Sequence, residues 1–253
     1  MKKLIPNFIT LLNLFCGCIA AVFAVHGVFE MVALFVFLGI VFDYFDGFAA
    51  RLLNVKSELG LQLDSLADMV TSGVVPGLVM YKLLDMSFSG SWGVSLFGEA
   101  SDNFLLSGLH ISSFVPLLGF VVTLASGYRL AKFNIDENQT DSFIGLPTPA
   151  NTLLIISFPL ILMYHNNDIL NAIILNHWFL IGLSFLSAFL LNCSLPLFAL
   201  KFKNWGFKDN SIRYIFLILC IILLATLKYI AVPTIIILYI LISVASKLGD
   251  KKS

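Results

Sequence analysis

Four aspartates, Asp43, Asp46, Asp64 and Asp68, fall within one short stretch, DYFDGFAARLLNVKSELGLQLDSLAD. Asp43 and Asp46 are three residues apart and Asp64 and Asp68 are four apart, so on helices each pair shares a face. Two consecutive helices joined by a short loop run antiparallel, which lets the two faces meet. The immediate neighbours are apolar: IVF precedes Asp43, LQL precedes Asp64 and MV follows Asp68. An ionised carboxylate at the centre of a membrane helix costs about 2.5–3.5 kcal/mol on the insertion scale, and four together would repel one another. A solvated loop explains Lys56 and Glu58 but not carboxylates in apolar surroundings. Salt bridging would have to rely on Arg51 and Lys56 for five acids. A carboxylate set with no thiol or imidazole nearby points instead to a hard divalent cation, Mg²⁺ or Mn²⁺. Four carboxylates can hold two such ions about 3.5–4 Å apart, a clamp used in phosphoryl transfer.

The residues around the acids suit the same chemistry. Gly47, Ala49, Ala50 and Gly60 leave space beside the carboxylates. Small residues also serve close helix packing in membranes, and both roles can hold together. Arg51 lies one turn beyond Gly47, where its planar fork could meet a phosphate. It could equally be an anchor at the membrane surface.

The elements that must position these residues follow from composition. The chain has 253 residues, 59% hydrophobic and 12% charged, with a mean hydropathy of +0.96. That excludes a disordered chain and an ordinary soluble globule, and it does not fit a basic nucleic-acid binder. The expected fold class is all-α, a polytopic integral membrane helical bundle forming one domain over residues 1–253. Spans of about 20 mostly apolar residues are expected near 7–27, 31–53, 61–84, 111–133, 147–165, 173–193, 211–228 and 231–248, eight in all. The last two form a hairpin around Lys228 and Pro233. The opening MKKLIPNFITLLNLFCGC is read as a retained first span, because Pro6, Asn7, Thr10 and Asn13 interrupt the apolar run and no clean cleavage site follows.

Lysine and arginine placement orients the bundle. With both termini cytoplasmic, Lys82 and Lys228 lie outside and the remaining 13 of the 15 basic residues lie inside. The acids then sit at the cytoplasmic end. The zero net charge splits into an outer face of about −3 and an inner face of about +3, rising to about +7 if two divalent ions neutralise the aspartates; such a surface attracts anionic lipid. Cys16, Cys18, Cys193 and Cys220 lie in apolar runs and are read as small hydrophobes. His26, His110, His165 and His177 are scattered near the outer face, away from the acids. The outer segment 85–110 carries no Lys or Arg apart from its flank.

The pattern D-x-x-D-G-x-x-A-R, eight residues, then G-x-x-x-D-x-x-x-D, on Asp43, Asp46, Gly47, Ala50, Arg51, Gly60, Asp64 and Asp68, resembles the signature of the CDP-alcohol phosphotransferases. Within that family the chain is most similar to the members that use CDP-diacylglycerol and serine. I-P-N-F-I-T-L-L-N-L-F-C-G at the start, D-S-L-A-D at the second pair, R-L-A-K-F-N at 129–134 and F-I-G-L-P-T-P-A at 143–150 carry that likeness over residues 5–150. The resemblance implies that Asp43, Asp46 and Asp64 hold one Mg²⁺ or Mn²⁺ and that Asp43, Asp64 and Asp68 hold a second. Asp68 would also be the general base. Pro6, Asn7, Gly47, Ala50, Arg51 and Ser57 would contact the CDP-lipid, and Arg129 and Asn134 are expected at the serine. It further implies membrane lipid as the medium and a homodimer, with no nucleic-acid partner. Other acceptors (glycerol 3-phosphate, inositol or its phosphate, choline) remain open. A prenyltransferase would carry its aspartate motifs on well-separated parts of the chain. A cation transporter or channel would carry acids near mid-membrane with a path to both faces.

Overall fold

The computed structural model describes residues 4–55, 57–90, 114–135, 143–197 and 206–250. Of the residues weighed above, Lys2, Lys3, Lys56, His110, Lys201, Lys203, Lys251, Lys252 and the segment 91–110 lie outside them. The described chain is almost entirely helical, in the order α1 (Leu4–Val25), α2 (Phe29–Leu52), α3 (Glu58–Asp68), α4 (Val75–Ser89), α5 (Val121–Ile135), α6 (Thr148–Tyr164), α7 (Asp168–Ile174), α8 (His177–Asn192), α9 (Phe207–Leu227) and α10 (Ala231–Asp250). The departures from α-helix are small and include 3-10 turns at Val115–Phe120 and Lys228–Ile230. A π-helical turn, Met69–Val74, joins α3 to α4, and the two-residue strands β1 (Phe143–Ile144) and β2 (Pro196–Leu197) pair antiparallel.

Among the described residues four helical runs are long and apolar enough to cross a membrane, or five if the pair α7 and α8, bent by 60°, counts as one span. The exterior matches: Phe8, Phe15, Leu124, Trp178 and Ile221 are each more than half exposed. The hydrophobic stripes of these helices therefore face outward as well as inward, as lipid permits. This is an integral membrane protein by that criterion. Helix covers the described part of each of the eight expected segments, of which only these four or five meet that length and apolarity, and three differ in detail. The third runs unbroken over Glu58–Ser89 through the π turn, and the sixth is bent between α7 and α8. The run Arg213–Ala245 folds back on itself: the rings of Phe216 and Tyr239 lie 5.7 Å apart, whereas a continuous helix would separate them by about 35 Å. Lys228, at φ 51°, makes that turn.

The first three rods form the half of the bundle that matters most. α1 packs along α2, and its buried face of Pro6, Thr10, Asn13, Gly17, Ala20 and Ala24 follows helical spacing. Gly17 and Gly39 let the π turn come close, because a Cβ on Gly39 would stand 2.8 Å from Thr71 Cγ2. Cys16 is buried and Cys18 exposed, as different helix faces require, and all four cysteines are free. Lys82 is buried within α4 at 2% exposure, 3.8 Å from Asp85. The Tyr164 hydroxyl donates to Glu30 at the start of α2. That contact and His165 lie at the end of the bundle opposite Asp43, and His26 ends α1 far from Pro6.

Candidate active site

The last turns of α2 carry Asp43 and Asp46, and α3 carries Asp64 and Asp68. The chain reverses over 53–57, where Asn54 takes φ 50°, a left-handed conformation that asparagine tolerates. Ser57 then starts α3, its Oγ accepting from the Gly60 N–H at 3.0 Å. This reversal folds the two acidic faces together. One carboxylate oxygen from each of Asp43, Asp46 and Asp64 lies within 4.8 Å of the others. Asp46 is only 6% exposed. Asp68 lies one turn beyond Asp64, outside that trio but within electrostatic reach of Asp43 and Asp64. Among the described residues no Lys or Arg forms an ion pair with any of the four. Three converging carboxylates without a cationic partner fit a hard divalent cation.

Helix α1 holds both acidic pairs. Thr10 Oγ1 donates to Asp46 and to the Pro6 carbonyl. Asn13, fully buried, donates from Nδ2 to Asp68 Oδ1 at 3.3 Å, while its Oδ1 accepts from the Thr71 hydroxyl at 2.8 Å. Reading the sequence for acids passes over Thr10, Asn13 and Thr71. The signal was present: Pro6, Thr10, Asn13 and Gly17 recur at helical spacing, a polar and small stripe on an otherwise apolar rod. The π turn had no such signal, although turns of this kind often sit at functional sites.

A cleft of about 810 Å³ opens beside the acids. Pro6, Asn7, Gly47, Ala50, Arg51 and Ser57, the expected CDP-lipid residues, all line it, together with Asp46 and Asp64. So do Thr10, Val55, Glu58, Leu61 and Phe133, none of which was expected at the substrate. Gly47 differs from the packing glycines: a Cβ there would meet only Arg51 Nη2, at 4.0 Å. Its lack of a side chain therefore leaves room for something in the cleft rather than for a neighbouring helix. At Gly60 a Cβ would instead press on Ser57 Oγ at 3.0 Å and Asn7 Oδ1 at 3.3 Å.

Arg129 and Asn134 do not line this cleft. Asn134 is tied to Ser65 of α3, its Nδ2 donating to Ser65 Oγ at 2.9 Å. Arg129 is half-buried, donates from Nε to the Leu191 carbonyl at 3.1 Å, and lies within electrostatic reach of Asp68. The blocks at 129–134 and 143–150 thus meet at the C-terminus of α8, where Leu146 N–H donates to the Leu190 carbonyl at 2.8 Å. Gly145, at φ +74°, passes so close that a Cβ would stand 2.6 Å from the Leu191 oxygen. Chemically, the site pairs a cation-binding carboxylate cluster with a cleft that carries Arg51 at its rim, an arrangement suited to an anionic, phosphate-bearing substrate.

Comparison with known proteins bears on the same residues. A family described as CDP-alcohol phosphatidyltransferase matches residues 3–187. The chain is similar to a Bacillus subtilis protein named CDP-diacylglycerol–serine O-phosphatidyltransferase, 32% identical over 170 residues that make up 67% of this chain and 80% of that protein. Proteins of the same name from Methanocaldococcus jannaschii (29% identical, covering 67% of this chain and 68% of that one) and Helicobacter pylori strain J99 (32% identical, covering 60% and 56%) are also similar. The match thus spans little more than half the length of the Helicobacter protein.

Proposed function

The chain belongs to the CDP-alcohol phosphatidyltransferase family, a family of phosphotransferases, and from that premise we propose that it transfers the phosphatidyl group of CDP-diacylglycerol to the hydroxyl of L-serine. The products are phosphatidylserine and CMP. The observation that carries this reading is the convergence of Asp43, Asp46 and Asp64 at the edge of a cleft lined by Pro6, Asn7, Gly47, Ala50, Arg51 and Ser57. Similarity to relatives named for the serine reaction supports the choice of acceptor.

In this mechanism the serine oxygen attacks the β-phosphorus, the bond from that phosphorus to the bridging oxygen breaks, and CMP leaves. Asp68 takes the serine hydroxyl proton. Its Oδ1 accepts from Asn13 Nδ2, which orients the carboxylate. A positioned base of this kind typically contributes 10²–10⁴-fold. Two divalent cations, Mg²⁺ or Mn²⁺, on Asp43, Asp46 and Asp64 and on Asp43, Asp64 and Asp68, would supply charge neutralisation at the pyrophosphate when bound. Thr10 keeps Asp46 turned toward its partners. Arg51 meets the phosphates at the cleft rim, Pro6 and Asn7 border the nucleotide, and Gly47 leaves it room. The acyl chains remain in the bilayer beside the apolar exterior.

In this reading the site faces the cytoplasm, a placement supported by the lysine and arginine bias, and water-soluble serine and CMP come and go on that side of the cell membrane. The family resemblance implies a homodimer, and the whole chain acts as one membrane-embedded unit. The test is CMP release from CDP-diacylglycerol by the purified protein with a panel of acceptors: L-serine, glycerol 3-phosphate, inositol and choline. Release with L-serine and formation of phosphatidylserine is expected. Release with another acceptor but not serine would overturn the acceptor, and no release with any would overturn the reaction.

A further inference from the structure

Asp68 closes α3, and the next residue begins the π turn, Met69–Val74. Here the Val75 N–H reaches back five residues, to the Val70 carbonyl, instead of four. One extra residue is thereby accommodated between α3 and α4. One residue is about 100° of rotation on a helix. The turn therefore sets the angle at which α3 presents Asp64 and Asp68 relative to the packed face of α4. With α4 seated as it is, a continuous α-helix would carry the second acidic pair about 100° away from Asp43 and Asp46.

Such a turn is rare and has to be held. An α-helix would pair the Ser72 carbonyl with the N–H four residues ahead, but that residue is Pro76, the second of α4, which has none. The Thr152 hydroxyl of α6 donates to this carbonyl at 3.0 Å, sharing its proton with the Thr148 carbonyl of its own helix at 2.9 Å. The next carbonyl, that of Gly73, accepts from the Thr123 hydroxyl of α5 at 2.9 Å. Thr71, Ser72 and Gly73 are all buried, where a carbonyl left without a partner is costly. The packing is equally close: a Cβ on Gly73 would stand 3.2 Å from Met69 Sδ, and one on Gly127 of α5 would stand 3.3 Å from it. We propose that Thr123, Thr152 and Pro76 are positioning residues for phosphatidyl transfer. Pro76 withholds the N–H that would return the turn to α, the two threonines satisfy the carbonyls of the π form, and together they fix the rotation of Asp64 and Asp68 toward Asp43 and Asp46. None of the three lines the cleft; they act through the backbone of the turn. The proposal rests on the metal-assisted transfer reading above and extends it to two further helices.

The test uses the purified full chain in detergent and reads Mn²⁺ affinity by calorimetry, kcat for CMP release and the melting temperature. Thr123→Val and Thr152→Val keep the side-chain shape and delete the donor. Each should raise the Mn²⁺ dissociation constant and lower kcat about 10–100-fold, the range for residues that orient metal ligands, while the KM for CDP-diacylglycerol changes far less. Thr123→Ser and Thr152→Ser keep the hydroxyl and should restore both. Pro76→Ala returns an N–H and a better helix former, so it should melt no lower than wild type and still weaken Mn²⁺ binding; it carries the test if a valine variant fails to fold. Thr152→Val combined with Pro76→Ala separates the two roles. If Thr152 only satisfies the Ser72 carbonyl, the new N–H replaces it and wild-type Mn²⁺ affinity returns, which would overturn the proposal. If it holds the register, the double variant binds no better than the weaker single one. Wild-type Mn²⁺ affinity in both valine variants, or in Pro76→Ala, would also overturn it. Calorimetry involves no acceptor, so a wild type that releases CMP with glycerol 3-phosphate and not with serine would overturn the serine reading and leave this one standing. A wild type that binds no Mn²⁺ would overturn the metal reading and this proposal with it.

Discussion

Replacing Asn13 by leucine isolates the contact between α1 and the proposed base. The substitution keeps a buried side chain of similar size while deleting the 3.3 Å hydrogen bond from Nδ2 to Asp68 Oδ1. Thr71 loses its 2.8 Å acceptor on Asn13 Oδ1 but keeps the Asn13 main-chain carbonyl at 3.2 Å. The unsatisfied-hydroxyl penalty is therefore largely avoided, and the main loss is one bond to a charged group, about 1.5–3 kcal/mol. The long distance favours the lower end, which is about a tenfold effect. Because the bond orients Asp68 and touches no substrate, the loss should appear in kcat, with KM for both substrates changed less than about threefold. The assay is CMP release against varied CDP-diacylglycerol and serine, with a thermal melt in detergent as the fold control. A double-mutant cycle sharpens it. If Thr71 acts on Asp68 only by orienting the Asn13 amide, Thr71→Val should lower kcat in the wild type and have no further effect in the Asn13→Leu background. Wild-type kcat in Asn13→Leu, or independent effects of the two substitutions, would refute the reasoning.

Other perturbations test separate parts of the site. Asp68→Asn should lower kcat by at least about 10²-fold, and near-wild-type turnover would remove it as base. Asp43→Ala should abolish both CMP release and divalent-ion binding by calorimetry; activity that survives chelation would defeat the metal assignment. Gly47→Leu, whose side chain would enter the cleft rather than the core, should leave the melting temperature within a few degrees of wild type and raise the KM for CDP-diacylglycerol tenfold or more. Gly145→Ala combines a left-handed residue with contact against the Leu191 oxygen, so it should destabilise by about 2–4 kcal/mol, read as a lower melting temperature.

Much of the site was legible because it is local. The spacing of Asp43 with Asp46 and of Asp64 with Asp68 is a statement about one helix face each, and the short link between them leaves an antiparallel hairpin as the simple solution. The apolar segments were legible for the same reason, since each backbone group in lipid must be satisfied within its own helix. The six residues expected at the CDP-lipid lie within one stretch of α2 and α3 or on the polar start of α1, and they share one cleft. The π turn and the 60° bend between α7 and α8 were not legible, because an apolar run reads the same whether straight or bent.

The sequence by itself determined the two acidic pairs and the helical class, because these depend on residue type and on periods of three to four residues. The tertiary structure alone decided what holds the acids. Thr10 reaches Asp46, Asn13 reaches Asp68, and Arg129 reaches the end of α8 across 36, 55 and 62 residues of chain. No local periodicity encodes such pairings; they follow from which helices pack together, and here glycines at 17 and 39 allow the close approach of α1, α2 and the π turn.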